Sequence, residues 1–260
     1  MICEVTSRND SLFKEAARIF EDWPETILWS CLQNIMGHVF MDDEKLPVSA
    51  MAMLGDFCFL AGVPKRELVS YKPGWCGQDF MIMVPQNEEW AACIEACYGD
   101  RARRVTRYAM KKEGDIFDRQ RLAEAVTGLP QGYEIKMMDE LLFARCGEIP
   151  WCRDFVAQYE TYEKYRAYGL GTVILKADEI VAGASSYSGY QGGIEIEIDT
   201  REDHRRRGLA YAAGAKLILE CLERGWYPSW DAQNLWSVAL ARKLGYHYSH
   251  AYPAYEIRGY

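Results

Sequence analysis

I-D-T-R-E-D-H-R-R-R-G-L-A, from Ile198 to Ala210, joins a strand to a helix through a basic turn in which Gly208 and Ala210 let another molecule approach the backbone. Such a turn suits a phosphate. At a helix N-terminus the first N–H groups lack intrahelical acceptors and the macrodipole is positive, so a pyrophosphate can accept several amide bonds there. Arg205, Arg206 and Arg207 add charge, and Gly208, Leu209 and Ala210 supply the amides. Neither G-x-G-x-x-G nor G-x-x-x-x-G-K-[ST] fits, because both need glycines this turn lacks. Alone, R-x-x-G-x-A is also compatible with an ordinary basic helix start.

The flanking residues extend the pattern in both directions. Before the turn, Ile194 to Asp199 alternates strictly, with Ile194, Ile196 and Ile198 on one face and Glu195, Glu197 and Asp199 on the other. After it, a helix from Leu209 to Arg224 confines Lys216, Glu220 and Glu223 to a narrow stripe, as in a helix packed on a sheet. Tyr227 to Trp230 reads as a strand. Asn234 then caps a helix from Leu235 to Leu244 that Gly245 ends, and aromatic strands follow between Tyr246 and Ile257. Upstream, the pattern predicts strands at Tyr133–Met137, Thr172–Leu175 and Glu179–Ser186, and helices at Asp139–Arg145 and Trp151–Tyr168.

The first half is less regular. Asn9 or Asp10 can cap a helix through Phe20, and Pro24 opens a second through about Val39. Phe57–Leu60 and Phe80–Val84 are β-prone runs, Asn87–Tyr98 is helical, and Arg103–Met110 is a strand. The arginines at 101, 103, 104 and 107 either hold an anion or face solvent on a sheet edge. A helix from Phe117 to Val126 stops at Gly128, which suggests domains of residues 1–128 and 129–260.

Composition narrows the function. The chain has 260 residues, 49% hydrophobic and 26% charged, ample for one large or two small domains. Its net charge of −8 argues against a nucleic-acid partner. No apolar run reaches the roughly 20 residues that span a bilayer; the best, Val48 to Val63, is broken by Asp56. No secretory signal is expected, and nine scattered cysteines without C-x-x-C suggest thiols in a reducing cytoplasm. Cys93 and Cys97, one helical turn apart, either share a metal or pack in the core; no metal is expected.

Motif, element order, W-D-A-Q, Asn234 and the K-L-G-Y ending together resemble the GNAT family, the Gcn5-related N-acetyltransferases, over about Tyr133 to Ile257. In that family R/Q-x-x-G-x-G/A binds the coenzyme A pyrophosphate, and Arg205, Gly208 and Ala210 match it. I-E-I-E-I-D-T and P-S-W-D-A-Q-N-L-W-S-V-A-L-A-R-K-L-G-Y look closest to the branch containing the zwittermicin A resistance protein. The resemblance implies an α/β (α+β) fold: a mixed, mostly antiparallel sheet flanked by helices, behind a smaller N-terminal α/β domain that shapes the acceptor site.

It further implies that the strands at Ile194–Thr200 and Tyr227–Trp230 splay into a slot for acetyl-CoA, with backbone groups of Ile198, Asp199 and Thr200 on the pantetheine and acetyl group. Asn234 matches a position that contacts the coenzyme, or is simply a cap. Transfer to an amine needs a base, since an alkylammonium of pKa roughly 10 is mostly protonated at neutral pH. Glu195, Glu197 and Asp231 are the candidates, against a solvated polar face. Many members place a Tyr four residues before the L-G-[FY] glycine to protonate the leaving sulfur. Here Ala241 stands there, leaving Ser237, another Tyr or water. His204, in the turn, is expected on phosphate or in solvent. The implied partners are acetyl-CoA and a small-molecule amine; other readings are a non-catalytic acyl-CoA sensor, or a GNAT acting on protein amines or with another acyl chain.

Overall fold

A computed structural model describes residues 1–6, 10–21 and 23–260, so the proposed cap Asn9 lies outside the described residues. The chain forms two compact units, Met1–Arg107 with Tyr252–Tyr260, and Tyr108–Ala251. Gly128, the boundary suggested by the sequence, falls inside the second.

In the first unit the elements are β1 (Cys3–Val5), α1 (Asp10–Phe20), α2 (Thr26–Leu32), β2 (His38–Met41), β3 (Ser49–Leu54), β4 (Phe57–Gly62), α3 (Arg66–Val69), β5 (Phe80–Pro85), α4 (Glu88–Tyr98) and the start of β6 (Ala102–Met110). The expected helix to Val39 stops early: Asn34 at φ +54° and Gly37 at φ +78° leave the helical region, and a side chain at Gly37 would collide with Cys31 Sγ. β-Branched and aromatic residues then form β2. β3 is a strand that the sequence pattern does not predict, although Gly55-Asp56 between Leu54 and Phe57 is a two-residue hairpin signal. Its buried S-A-M-A-M-L lacks the alternation that marks a half-exposed strand.

In the second unit come α5 (Arg119–Thr127), β7 (Tyr133–Met137), α6 (Glu140–Glu148), α7 (Tyr162–Tyr168), β8 (Gly171–Lys176), β9 (Glu179–Tyr190), β10 (Gly193–Thr200), α8 (Leu209–Glu223), β11 (Tyr227–Ser229), β12 (Asp231–Ala232), α9 (Leu235–Leu244) and β13 (Tyr248–Arg258), whose last residues return to the first unit. The helix expected at Trp151–Tyr168 is instead a single turn at Arg153–Phe155 followed by α7, because Thr161 caps the Lys164 amide and starts a new helix. The closing aromatic segment is one strand, β13, rather than several.

The order β11-β10-β9-β8-β7 makes a five-stranded sheet, antiparallel except for β10 beside β11. α8 lies across it and α5 packs on α8. Ile194 and Ile196 of β10 join Leu217 and Ile218 of α8 in one core. Gly214 lets α8 come close: a Cβ there would sit 2.9 Å from Leu244 Cδ1 and 3.0 Å from Ile198 Cδ1. In the first unit β1 to β5 and the end of β13 pair in that order, with only β4 and β5 parallel. The α/β class and the mostly antiparallel sheets flanked by helices are therefore as the sequence predicts. Among the described residues no helix is long and apolar enough to cross a membrane.

Candidate active site

β10 and β11 are parallel neighbours for three residue pairs only, the last being Glu195 opposite Ser229. Beyond it β11 ends, and after Trp230 the chain pairs with the end of β6, Asp231 opposite Ala109 and Ala232 opposite Tyr108. From Ile196 to Thr200, β10 keeps only β9 as a ladder partner, so one edge of its backbone faces the gap where the strands part. Glu195 sits at the apex of that gap. Its Oε1 accepts the Asp231 N–H at 2.7 Å, replacing the ladder bond that the departing strand gives up.

The three carboxylates of β10 share a face but not an environment. Glu195 is buried, Glu197 is half-buried and Asp199 is exposed, its Oδ1 accepting the Thr200 N–H. Asp231 is half-buried beside the apex. Residues directly opposite on neighbouring strands present side chains to one face, so Ser188 of β9, Glu195 and Ser229 form a row across three strands. Tyr190, opposite Gly193, reaches Ser229 Oγ at 2.8 Å, and only a glycine at 193 leaves room for its hydroxyl. Burial holds the Tyr190 phenol well above its ordinary range, and the Glu195 charge adds to this.

The basic turn lies at the exposed end of β10. Arg206 has φ +61° and Gly208 φ +78°, and a Cβ at Gly208 would touch no atom of the described residues. α4, α5, α6, α7 and α9 begin on an Asn, Asp or Thr that caps an amide, whereas the short α2 and α3 have no side-chain cap and α8 begins on Gly208, which cannot supply one. No described side chain caps its first N–H groups. Two of the three arginines brace the turn: Arg205 Nε donates to Thr200 O at 3.0 Å, and Arg207 donates to Tyr133 Oη and Asp203 O. No described protein group pairs with the Arg206 guanidinium in this way. Thr200 Oγ1 is buried without a hydrogen-bond partner among the described residues. Open amides, an unengaged cation and an orphaned hydroxyl together fit a diphosphate joined to a polar arm along β10.

His204 is neither solvent-exposed nor placed to meet an anion. It is buried, with Nδ1 2.9 Å from Tyr133 Oη and Nε2 3.0 Å from Arg201 Nη2. Burial lowers its pKa, Asp203 pulls it up, and Arg201, Arg207 and Lys176 push it down. The tyrosine, 71 positions away, is the partner that spacing could not reveal.

On α9, Asn234 Oδ1 accepts the Ser237 N–H at 2.9 Å, so it is a cap, with its amide group exposed. Ser237 Oγ accepts from Trp230 Nε1 at 3.0 Å, leaving its own proton available. Ala241 is fully buried. The first-unit arginines are engaged locally: Arg101 on Gly259 O, Arg103 on Glu256, Arg104 on Glu88, and Arg107 over the Phe57 ring. Among the described residues no three His, Cys, Asp or Glu groups gather as a metal site, and Cys93 and Cys97 lie half-buried along α4. Burial pushes the Cys31 and Cys221 thiols up to about 12, which keeps them protonated and poor nucleophiles.

A sheet that opens beside an uncapped, arginine-flanked helix start defines an acyltransferase of the GNAT class. A profile of the GNAT acetyltransferase family matches residues 17–255, and the chain belongs to that family. It is 26% identical over 258 residues to the uncharacterised N-acetyltransferase YdfB of Bacillus subtilis (strain 168), covering 94% of each chain. Among solved structures it resembles a GCN5-related N-acetyltransferase-like protein from Streptococcus suis 89/1591, at 48% identity and TM-score 0.90 over 95% of this chain and 99% of that one. A tandem GNAT protein from the clavulanic acid biosynthesis pathway shares the fold at 11% identity and TM-score 0.59, covering 100% of this chain and 98% of that one.

Proposed function

We propose that this acyltransferase moves the acetyl group of acetyl-CoA directly to an amine of a small molecule, with a carboxylate of β10 as general base. The observation that carries this is the coincidence, at one strand, of the parting of β10 from β11 at Glu195 and the uncapped α8 start at Gly208. Acetyl-CoA supplies an activated thioester. The amides of Gly208, Leu209 and Ala210 and the Arg206 guanidinium hold its diphosphate, while the open edge of β10 at Ile198, Asp199 and Thr200 takes the pantetheine amides.

Glu195 is the preferred base, since it is the carboxylate at the apex and its fixed Oε1 leaves the group oriented. Glu197, one step along the open edge, and Asp231 are its alternates. Ser237 offers a proton to the departing sulfur, with Asn234 fixing the first turn of α9. We extend the reading to the zwittermicin A resistance branch, and to a functional division, distinct from the two compact units, in which residues 1–128 shape the acceptor site and residues 129–260 carry catalysis. We also place the protein in the cytoplasm, in keeping with its nine unbonded thiols.

The test is a panel of primary amines incubated with acetyl-CoA, with CoA and acetylated product followed by mass spectrometry. CoA release that requires one particular amine supports transfer. Tight acetyl-CoA binding without release in any mixture overturns it in favour of a sensor. With a substrate in hand, Glu195→Gln is expected to lower turnover about a hundredfold or more with acetyl-CoA affinity little changed. Full activity in that variant sends the role to Glu197 or Asp231.

A further inference from the structure

Ser188 pairs in the sheet through its backbone, but its hydroxyl has no described neighbour that accounts for it. It is fully buried in the middle of the five-stranded sheet, and its Oγ has no hydrogen-bond partner among the described residues. A hydroxyl stripped of water in this way is costly unless something else pairs with it. The register puts it opposite Glu195, on the face that carries the carboxylate, at the last pair before β9 bulges. There the partners of β10 jump from Ser188 to Ser186, leaving Tyr187 unopposed, and such a bulge re-aims the side chains beside it. The other hydroxyls near the apex are already used: Ser229 by Tyr190, and Ser185 by Tyr165 and the Phe155 carbonyl.

We propose that Ser188 is a positioning residue that holds a water against the Glu195 carboxylate, and that the acceptor amine loses its proton through this water. The nitrogen–proton bond breaks as the water accepts the proton, and a water proton passes to Glu195, so the water is regenerated and the carboxylate ends protonated. A buried water needs two or more polar partners, and the Ser188 hydroxyl with the carboxylate beside it supplies them. The inference rests on the reading of Glu195 as base.

Because no described residue pairs with the hydroxyl, Ser188→Ala is expected to fold and to melt no lower than the parent. A fall of several degrees, or a variant that does not fold, makes the hydroxyl structural and overturns the assignment. Crystals grown with CoA at high resolution are expected to show a water within hydrogen-bond distance of both Ser188 Oγ and Glu195; no density there overturns it. In kinetics with the amine found by the panel, Ser188→Ala is expected to lower kcat roughly tenfold or more with KM for acetyl-CoA unchanged. The acid limb of its pH profile should move to higher pH, since the carboxylate loses a hydrogen bond that favours its charged form. The Ser188→Ala/Glu195→Gln double variant should be no slower than Glu195→Gln. Losses that multiply place Ser188 outside the path and overturn the proposal. Should Glu195→Gln prove fully active, the base reading fails; a wild-type Ser188→Ala pH profile beside an impaired Glu195→Gln sinks the Ser188 inference alone.

Discussion

Glu195 Oε1 accepts the backbone N–H of Asp231 at 2.7 Å, across the point where β11 leaves β10. A side chain here does the work of a strand: it satisfies the first amide that the departing backbone can no longer pair with its neighbour, and so allows the sheet to part without an orphaned donor. The same carboxylate is thereby oriented at the apex of the gap. On the proposed reading of Glu195 as base, structure and chemistry meet at one residue, and substitutions around it should separate them.

Gly208→Val tests the turn. A side chain there is strained at φ +78° and projects into the space beside the first amides of α8. Acetyl-CoA affinity is expected to fall at least tenfold, the worth of about one lost charge-assisted hydrogen bond. Calorimetry on the folded variant measures it, and unchanged affinity removes the diphosphate from this turn.

Arg206→Gly is expected to leave stability unchanged or slightly raised, because glycine accepts φ +61° more readily than arginine. It should nevertheless weaken CoA binding and flatten its salt dependence, since the arginine of the turn that pairs with no described group is gone. Arg205→Gln and Arg207→Gln should do the reverse, lowering the melting temperature by freeing the turn. Binding isotherms at two salt concentrations, with melting curves, tell the two kinds of arginine apart.

His204 predicts a pH effect. Its folded pKa lies below the ordinary 6.5, chiefly through burial, so the unfolded chain binds more protons as pH falls through that value. Stability contributed by the neutral ring is present above about pH 6.5 and declines as pH drops towards the lowered folded pKa. Melting temperatures between pH 7 and 5 are expected to fall less steeply for His204→Gln than for the parent. Parallel curves would show that the ring charges without cost.

Ser237→Ala should separate packing from proton transfer. Removing its Oγ leaves the Trp230 indole N–H without its acceptor, at a cost of about 1–3 kcal/mol in stability. Turnover is expected to fall at most roughly tenfold, below the contribution of a well-placed acid, because a CoA thiol leaves readily as thiolate. A loss of several thousandfold with binding intact would make Ser237 an essential acid.

The strand, basic turn and helix of Ile194 to Glu223 were legible from residue order alone, as were the cap at Asn234, the stop at Gly245 and the helices that start near Asn87 and Asp139, although that these two residues are caps is shown only by the structure. These are local matters: φ limits, side-chain caps and two- or four-residue periodicity act between near neighbours. Alternation likewise assigned Glu195, Glu197 and Asp199 to one face. It could not grade their burial, because depth depends on which strands lie alongside and where they end. The parting at Ser229, the bulge at Tyr187, the row from Ser188 to Tyr190 and the pairing of His204 with Tyr133 all arise from register between segments tens of residues apart. Such pairings are selected by burial of whole faces and by satisfaction of backbone groups at long range, so only the folded sheet decides which carboxylate stands at the apex and which hydroxyl faces it.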